Sequence, residues 1–298
     1  MKSLIKKIIK SVTPESVLKS LGSIPLLTST SYQIHDRILH ETWQAQVGRS
    51  KNPLNKTGAK YFSQTDEDGI TLEILQRLNI TSGAFAEFGV GDGSENNTLI
   101  LIANKWKGFW VGGQSLFFTV RDDLKNFCFT RKWIDLENIV GLARDSMSRI
   151  GCESLDLISL DLDGNDIYFV EALLKDGFLP KVFIVEYNAK FAPPIEFQIE
   201  YNARHTWMTD DYWGASLTSY AKLFSKYQYF LVCCNAHTGV NAFFVREEFA
   251  HRFSDVPRDL KDLYYGPRYQ LYKQFGFKPS PKTIERLLSV NETQNVPT

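Results

Sequence analysis

Ala84-Phe85-Ala86-Glu87-Phe88-Gly89-Val90-Gly91-Asp92-Gly93-Ser94 is the stretch that decides the architecture of this chain. A short apolar run stops at three closely spaced glycines, and a helix-like segment over residues 95–105 follows at once. That order reads as a buried strand, a tight turn and a helix start. Glycine has no Cβ and tolerates positive φ, so such a turn lets backbone approach a ligand closely. The spacing Gly89-x-Gly91-x-Gly93 leaves Ser94 where the dinucleotide fingerprint G-x-G-x-x-G needs its third glycine.

Working outward, strands alternate with helical segments from Gly83 onward. Strands are expected over 84–88, 108–112, 132–134, 155–160 and 182–185, with helices over 95–105, 138–150 and 166–176 between them. A further helix over 215–226 and two strands, 229–234 and 242–245, would finish the sheet as a hairpin. Alternation of this kind predicts an α/β fold: a Rossmann-like, doubly wound, mostly parallel sheet with helices on both faces. Each strand delivers a glycine or a polar residue at its carboxyl end: Gly89, Gly113-Gln114, Asp135, Asp161 and Glu186. Open α/β sheets bind ligands at that edge, so the recurrence predicts a single ligand crevice.

Three parts are expected: an N-terminal helical extension (1–58), the α/β core (59–250) and a C-terminal helical appendage with a tail (251–298). The extension opens with Leu4, Ile5, Ile8, Ile9 and Val12 at helical spacing, with Lys2, Lys6, Lys7 and Lys10 between them. Such a basic amphipathic helix suits weak contact with an anionic membrane surface. Its short basic face favours packing on its own domain or on a second subunit of a homo-oligomer. Thr13-Pro14 marks the next helix start, and a polar connector over 48–58 precedes the core. The aromatic, polar stretch from Tyr201 through His205, Trp207 and Asp211 to Trp213 is long enough for a lid or substrate-binding insertion.

Composition narrows the function. Lys+Arg and Asp+Glu both number 34 in 298 residues, giving a formal net charge of zero. That balance excludes nucleic acid as the main partner, because phosphate binding needs a basic excess. A hydrophobic fraction of 43% with 21 phenylalanines supplies a well-filled core. None of the four cysteines makes a Cys-x-x-Cys pair, which predicts reduced thiols and a cytoplasmic protein. No apolar stretch approaches the ~20 residues of a membrane span.

Glu87-Phe88-Gly89-Val90-Gly91-Asp92-Gly93 resembles the first motif of Rossmann-like S-adenosylmethionine (SAM)-dependent methyltransferases. Tyr61-Phe62-Ser63-Gln64 with Glu67-Asp68-Gly69 resembles the lead-in of the FkbM-type group, as do Ile158-Ser159-Leu160-Asp161-Leu162-Asp163-Gly164-Asn165-Asp166 and Ile184-Val185-Glu186-Tyr187-Asn188. The resemblance spans roughly residues 60–250. It implies SAM as cofactor, methylation of a hydroxyl on a saccharide or another polar small molecule, and closure of the lead-in, with Gln64, over the cofactor. The glycine turn, Gly89, Gly91 and Gly93, would face the cofactor, and Glu87 would meet its ammonium. Asp135 would accept from the adenine amino group, unless it caps the helix that follows. Most such enzymes end their second strand with an acid for the ribose; here Gln114 stands there.

Asp161-Leu162-Asp163-Gly164 superficially resembles a Ca²⁺ loop, but the glycine falls at position four rather than six. A better metal reading joins Asp161, Asp163, Glu186 and Asn188, oxygen donors suited to Mg²⁺ or Ca²⁺. Asp161 is the first candidate for catalytic base, with His237 and His205 as alternatives because neutral imidazole is a competent base near pH 7. Two other readings share the fold: an NAD-type oxidoreductase, and a non-catalytic scaffold of a glycan-assembly complex.

Overall fold

The computed structural model describes residues 15–268, 277, 278 and 280–294. The basic helix expected over residues 4–12, with its neighbours Thr13 and Pro14, lies outside them. The chain divides into two compact units, Met1–Arg49 and Ser50–Thr298. In the first, among the described residues, the helix α1 (Glu15–Arg49) exposes Tyr32, Ile34, Ile38 and Leu39 and carries an Arg37–Glu41 pair one turn apart at 2.8 Å. No helix among the described residues is long and apolar enough to cross a membrane.

The second unit holds a seven-stranded sheet: β1 (Ala84–Phe88), β2 (Lys107–Gly112), β3 (Phe127–Arg131), β4 (Leu157–Leu160), β5 (Val182–Glu186), β6 (Tyr229–Cys234) and β7 (Asn241–Arg246). Their order is β3-β2-β1-β4-β5-β7-β6, and only β7 runs antiparallel to its neighbours. The helices are α2 (Glu67–Arg77), α3 (Leu99–Ala103), α4 (Ile139–Ile150), α5 (Asp166–Lys175), α6 (Leu217–Lys226), α7 (Leu260–Leu263) and α8 (Pro281–Gln294). The strand order turns back at β1, so right-handed crossovers place α3 on one face and α4 and α5 on the other. This is the Rossmann-like, doubly wound arrangement, and β1 and β4 flank its switch point. β1 is buried at every position because it pairs on both sides, with Phe88 in register with Val111 and Leu160.

Several elements differ from expectation. The third strand is Phe127–Arg131, not 132–134; Phe127 and Cys128 bury against the sheet while Trp133 turns out to solvent. The helix after the glycine turn shrinks to Leu99–Ala103, because the backbone N–H groups of Asn97 and Thr98 serve Glu87. The polar connector packs with the sheet unit. Asn52 and Asn55 donate to the carbonyls of Val232 and Cys234 on edge strand β6, and Leu54 between them enters the core. Asparagines that looked solvated are thus buried, covering an otherwise open sheet edge. In the C-terminal part, Phe253 and Leu263 are fully buried, and the Tyr265 hydroxyl donates to Asn55. All four cysteines are unbridged.

Candidate active site

A cleft of about 630 Å³ opens at the carboxyl ends of β1, β4 and β5, a size suited to a small-molecule ligand. Gln64, Glu87, Gly89, Gly91, Gln114, Asp161, Asp163 and Glu186 all line it. Gly93, Asp135, Asn188 and His237 do not.

The three glycines of the turn all have positive φ, +90°, +54° and +87° at Gly89, Gly91 and Gly93. Their surroundings separate them. A Cβ on Gly89 would lie 1.5 Å from the Asp161 carbonyl oxygen, so here the turn passes against the end of β4. A Cβ on Gly93 would press on Leu116, Phe118 and Trp110, away from the cleft. A Cβ on Gly91 would meet nothing within 4 Å and would project into open space. Glu87, 4% exposed, accepts from Asn97 N at 3.0 Å and from Thr98 N at 3.1 Å. The Thr98 hydroxyl also donates to it and accepts from the Trp110 indole N–H. Burial pushes the Glu87 carboxyl up to about 6, against the opposing pull of these donors.

Asp161, Asp163 and Glu186 each present a carboxylate oxygen within 4.8 Å of the others. Asp166 holds their loop in shape by accepting from Leu162 N at 2.6 Å and Gly164 N at 2.8 Å. Burial, then the charges of Asp163 and Asp166, raises the Asp161 carboxyl well above the carboxylate range. Burial and the charge of Asp161 raise Glu186 likewise. A hydrogen bond between Asp161 and Glu186 opposes that rise at Asp161. Across the mouth, half-buried His205 lies against Gly164, and burial, then the charge of Lys282, holds its imidazole below the usual value.

Asn188 leaves the expected metal set. Its amide donates to the carbonyls of Asp211 and Trp213, both at 3.0 Å, and its oxygen accepts from Lys190 N, so it pins a loop instead. Asp135 accepts from Glu137 N and Asn138 N in the turn ahead of α4. His237 sits on the β6–β7 loop, where its backbone N–H donates to Asp66.

The lead-in turns out to be a buried acidic hub. Asp66, Glu67 and Asp68 are 2%, 0% and 0% exposed. Asp68 accepts from the backbone N–H groups of Tyr61, Phe62 and Ser63, which shapes the loop that carries Gln64 to the cleft. Asp66 and Glu67 gather Asn235, Ala236 and Asn241 from the β6–β7 hairpin. Sequence reasoning missed Asn241, which lines the cleft. The missed signal was strand direction: an antiparallel strand brings its first residue, not its last, to the ligand edge.

No protein-family model matches the chain, and no curated protein matches it. Thirty-four solved chains do. One is the methyltransferase domain of bacterial CtHen1-C: 15% identity over 60% of this chain and 97% of that one, TM-score 0.36. Another is precorrin-6y C5,15-methyltransferase from Geobacter metallireducens, with 14% identity over 63% and 91% and TM-score 0.35. A third is the MycE methyltransferase of mycinamycin biosynthesis, in complex with Mg, SAH and mycinamycin VI, with 12% identity and TM-score 0.27. That match covers 39% of this chain and only 31% of MycE. At such identities and TM-scores these likenesses carry no functional weight.

Proposed function

We propose that the protein is a SAM-dependent O-methyltransferase of the FkbM type, acting on a hydroxyl of a saccharide or another polar small molecule. The observation that carries the reading is the open space beside Gly91, in the same cleft as the Asp161–Asp163–Glu186 cluster. A glycine with positive φ and nothing opposite it is a cradle that a side chain would fill. Glu87 beside it is an acid for an ammonium group, and Gln114 at the rim offers both a donor and an acceptor to a ribose diol. The residues present therefore fit SAM, with Gln114 replacing the usual carboxylate.

Bound SAM supplies a methyl group on an already activated sulfonium. The chain's residues then have to hold the acceptor in line and take its proton. Asp161, which ends β4 in the cleft, is the base: its ionised carboxylate accepts the acceptor's hydroxyl proton as the oxygen takes the methyl group. The three carboxylates are hard oxygen donors, and a divalent cation held there would orient acceptor hydroxyls. Trp133 and Trp207 in the lining suit stacking on a sugar ring.

Calorimetric titration with S-adenosylhomocysteine tests this reading, with micromolar binding expected. Absence of binding would sink it and favour the scaffold, to which the missing acid at Gly112-Gly113-Gln114 points. Binding of NAD instead would identify an oxidoreductase, which the absent third glycine at Ser94 argues against.

A further inference from the structure

We propose that Asn241 is the fourth protein oxygen of a divalent-cation site formed with Asp161, Asp163 and Glu186. The inference rests on the metal part of the function proposed above and assigns it a ligand from β7. Asn241 pairs directly with Glu186 across the β5–β7 ladder, so their side chains project on one face of the sheet. Both line the cleft with Asp161 and Asp163.

The Asn241 side chain is held in one orientation. Its backbone N–H donates to Asn235 Oδ1 at 2.9 Å, and its amide Nδ2 donates to Glu67 Oε1 at 3.2 Å. Asn241 is 4% exposed, and its Oδ1 is buried with no hydrogen-bond partner. Glu186 Oε2, directly across the ladder, is buried and unpartnered as well. A buried acceptor without a donor is unfavourable, and two of them on paired residues call for a shared electrophile.

A hard cation meets that need. Mg²⁺ and its relatives take oxygen ligands and keep positions for water or substrate. Three carboxylates already exceed the charge of a divalent ion, so a neutral amide oxygen completes the set better than a fourth carboxylate. A cation held by these four oxygens would supply Lewis-acid orientation to an acceptor hydroxyl. The acidic hub has a part in this: Glu67 fixes which end of the amide faces the cleft.

The test is Mn²⁺ titration of the full chain, read from the free-ion electron paramagnetic resonance signal, beside S-adenosylhomocysteine calorimetry and thermal unfolding. Asn241→Ala is expected to weaken Mn²⁺ by ~10-fold or more, since even residues one shell removed from a metal cost that much, with a cooperative thermal transition retained. Asn241→Asp, which keeps an oxygen donor but loses the amide N–H given to Glu67, is expected to hold Mn²⁺ more tightly than the alanine variant, and it decides the matter if the alanine variant does not fold. Unchanged Mn²⁺ affinity in Asn241→Ala, or a loss in Asn241→Asp equal to that in the alanine variant, would overturn the assignment. No Mn²⁺ binding by the parent protein would overturn it too. Retained S-adenosylhomocysteine binding in that case would leave the methyltransferase reading standing.

Discussion

Gly89 and Gly91 share one turn and one backbone handedness, yet they are glycines for different reasons. Gly89 is excluded from having a side chain by the Asp161 carbonyl, 1.5 Å from where its Cβ would be. That contact is backbone and cannot give way. Gly91 has no protein neighbour to exclude one. A substitution there costs the ~1–2 kcal/mol strain of left-handed backbone and otherwise occupies ligand space. Gly89→Ala is therefore expected to lose the cooperative thermal transition or lower its midpoint by more than ~10 °C. Gly91→Val should melt within a few degrees of the parent and fail to bind S-adenosylhomocysteine. Calorimetry on the second variant is decisive: unchanged affinity would remove the turn from the cofactor site. In the sequence both positions carry the same letter at the same spacing. Only the strand lying across Gly89 tells them apart.

Among the elements, those with local signals matched the structure and those with long-range support did not. β1, whose apolar run is closed by a glycine, has the expected bounds, and β6 does too. β3 was misplaced because Trp133 and Ile134 look as strand-like as Phe127 and Phe129; pairing with β2 decides between them. The loop after β5 holds another tertiary device. Buried Asp211 pairs with Lys190 at 2.7 Å and accepts from Ser280 N and the Thr283 hydroxyl, both at 2.7 Å. One carboxylate thus anchors the start of α8. Removing one member of a buried pair costs ~3–5 kcal/mol. Asp211→Ala is expected to lower the thermal midpoint by about 10 °C and to speed proteolysis within α8, with Asp211→Asn intermediate. An unaltered cleavage rate would show that α8 is held by other contacts.

Over the whole molecule, the acids of the cleft set a characteristic pH response. Burial raises Glu87 from 4.5 to about 6 and Asp166 from 3.8 to about 6. Between about pH 4.5 and pH 6 the folded protein therefore binds more protons than the unfolded chain, and stability falls as pH rises through that window. For Glu87 alone, a rise from 4.5 to about 6 corresponds to ~2 kcal/mol. In cation-free buffer, the thermal midpoint of Glu87→Gln should fall less than the parent's between pH 4.5 and pH 7. Parallel curves would mean that Glu87 ionises in the fold as it does in water. The sequence alone determined the alternation of strands and helices, the glycine turn and the edge at which Asp161 and Glu186 would emerge. Those follow from periodicity and from glycine chemistry, which are local. Tertiary structure decided which polar residues face the ligand. Asp135 and Asn188 turned to backbone partners, the His237 backbone N–H went to the Asp66 carboxylate, the acidic lead-in became a buried hub, and Asn241 entered the cleft from an antiparallel strand. A polar side chain goes to whichever partner the fold brings within about 3 Å, and that choice is made by residues distant in sequence.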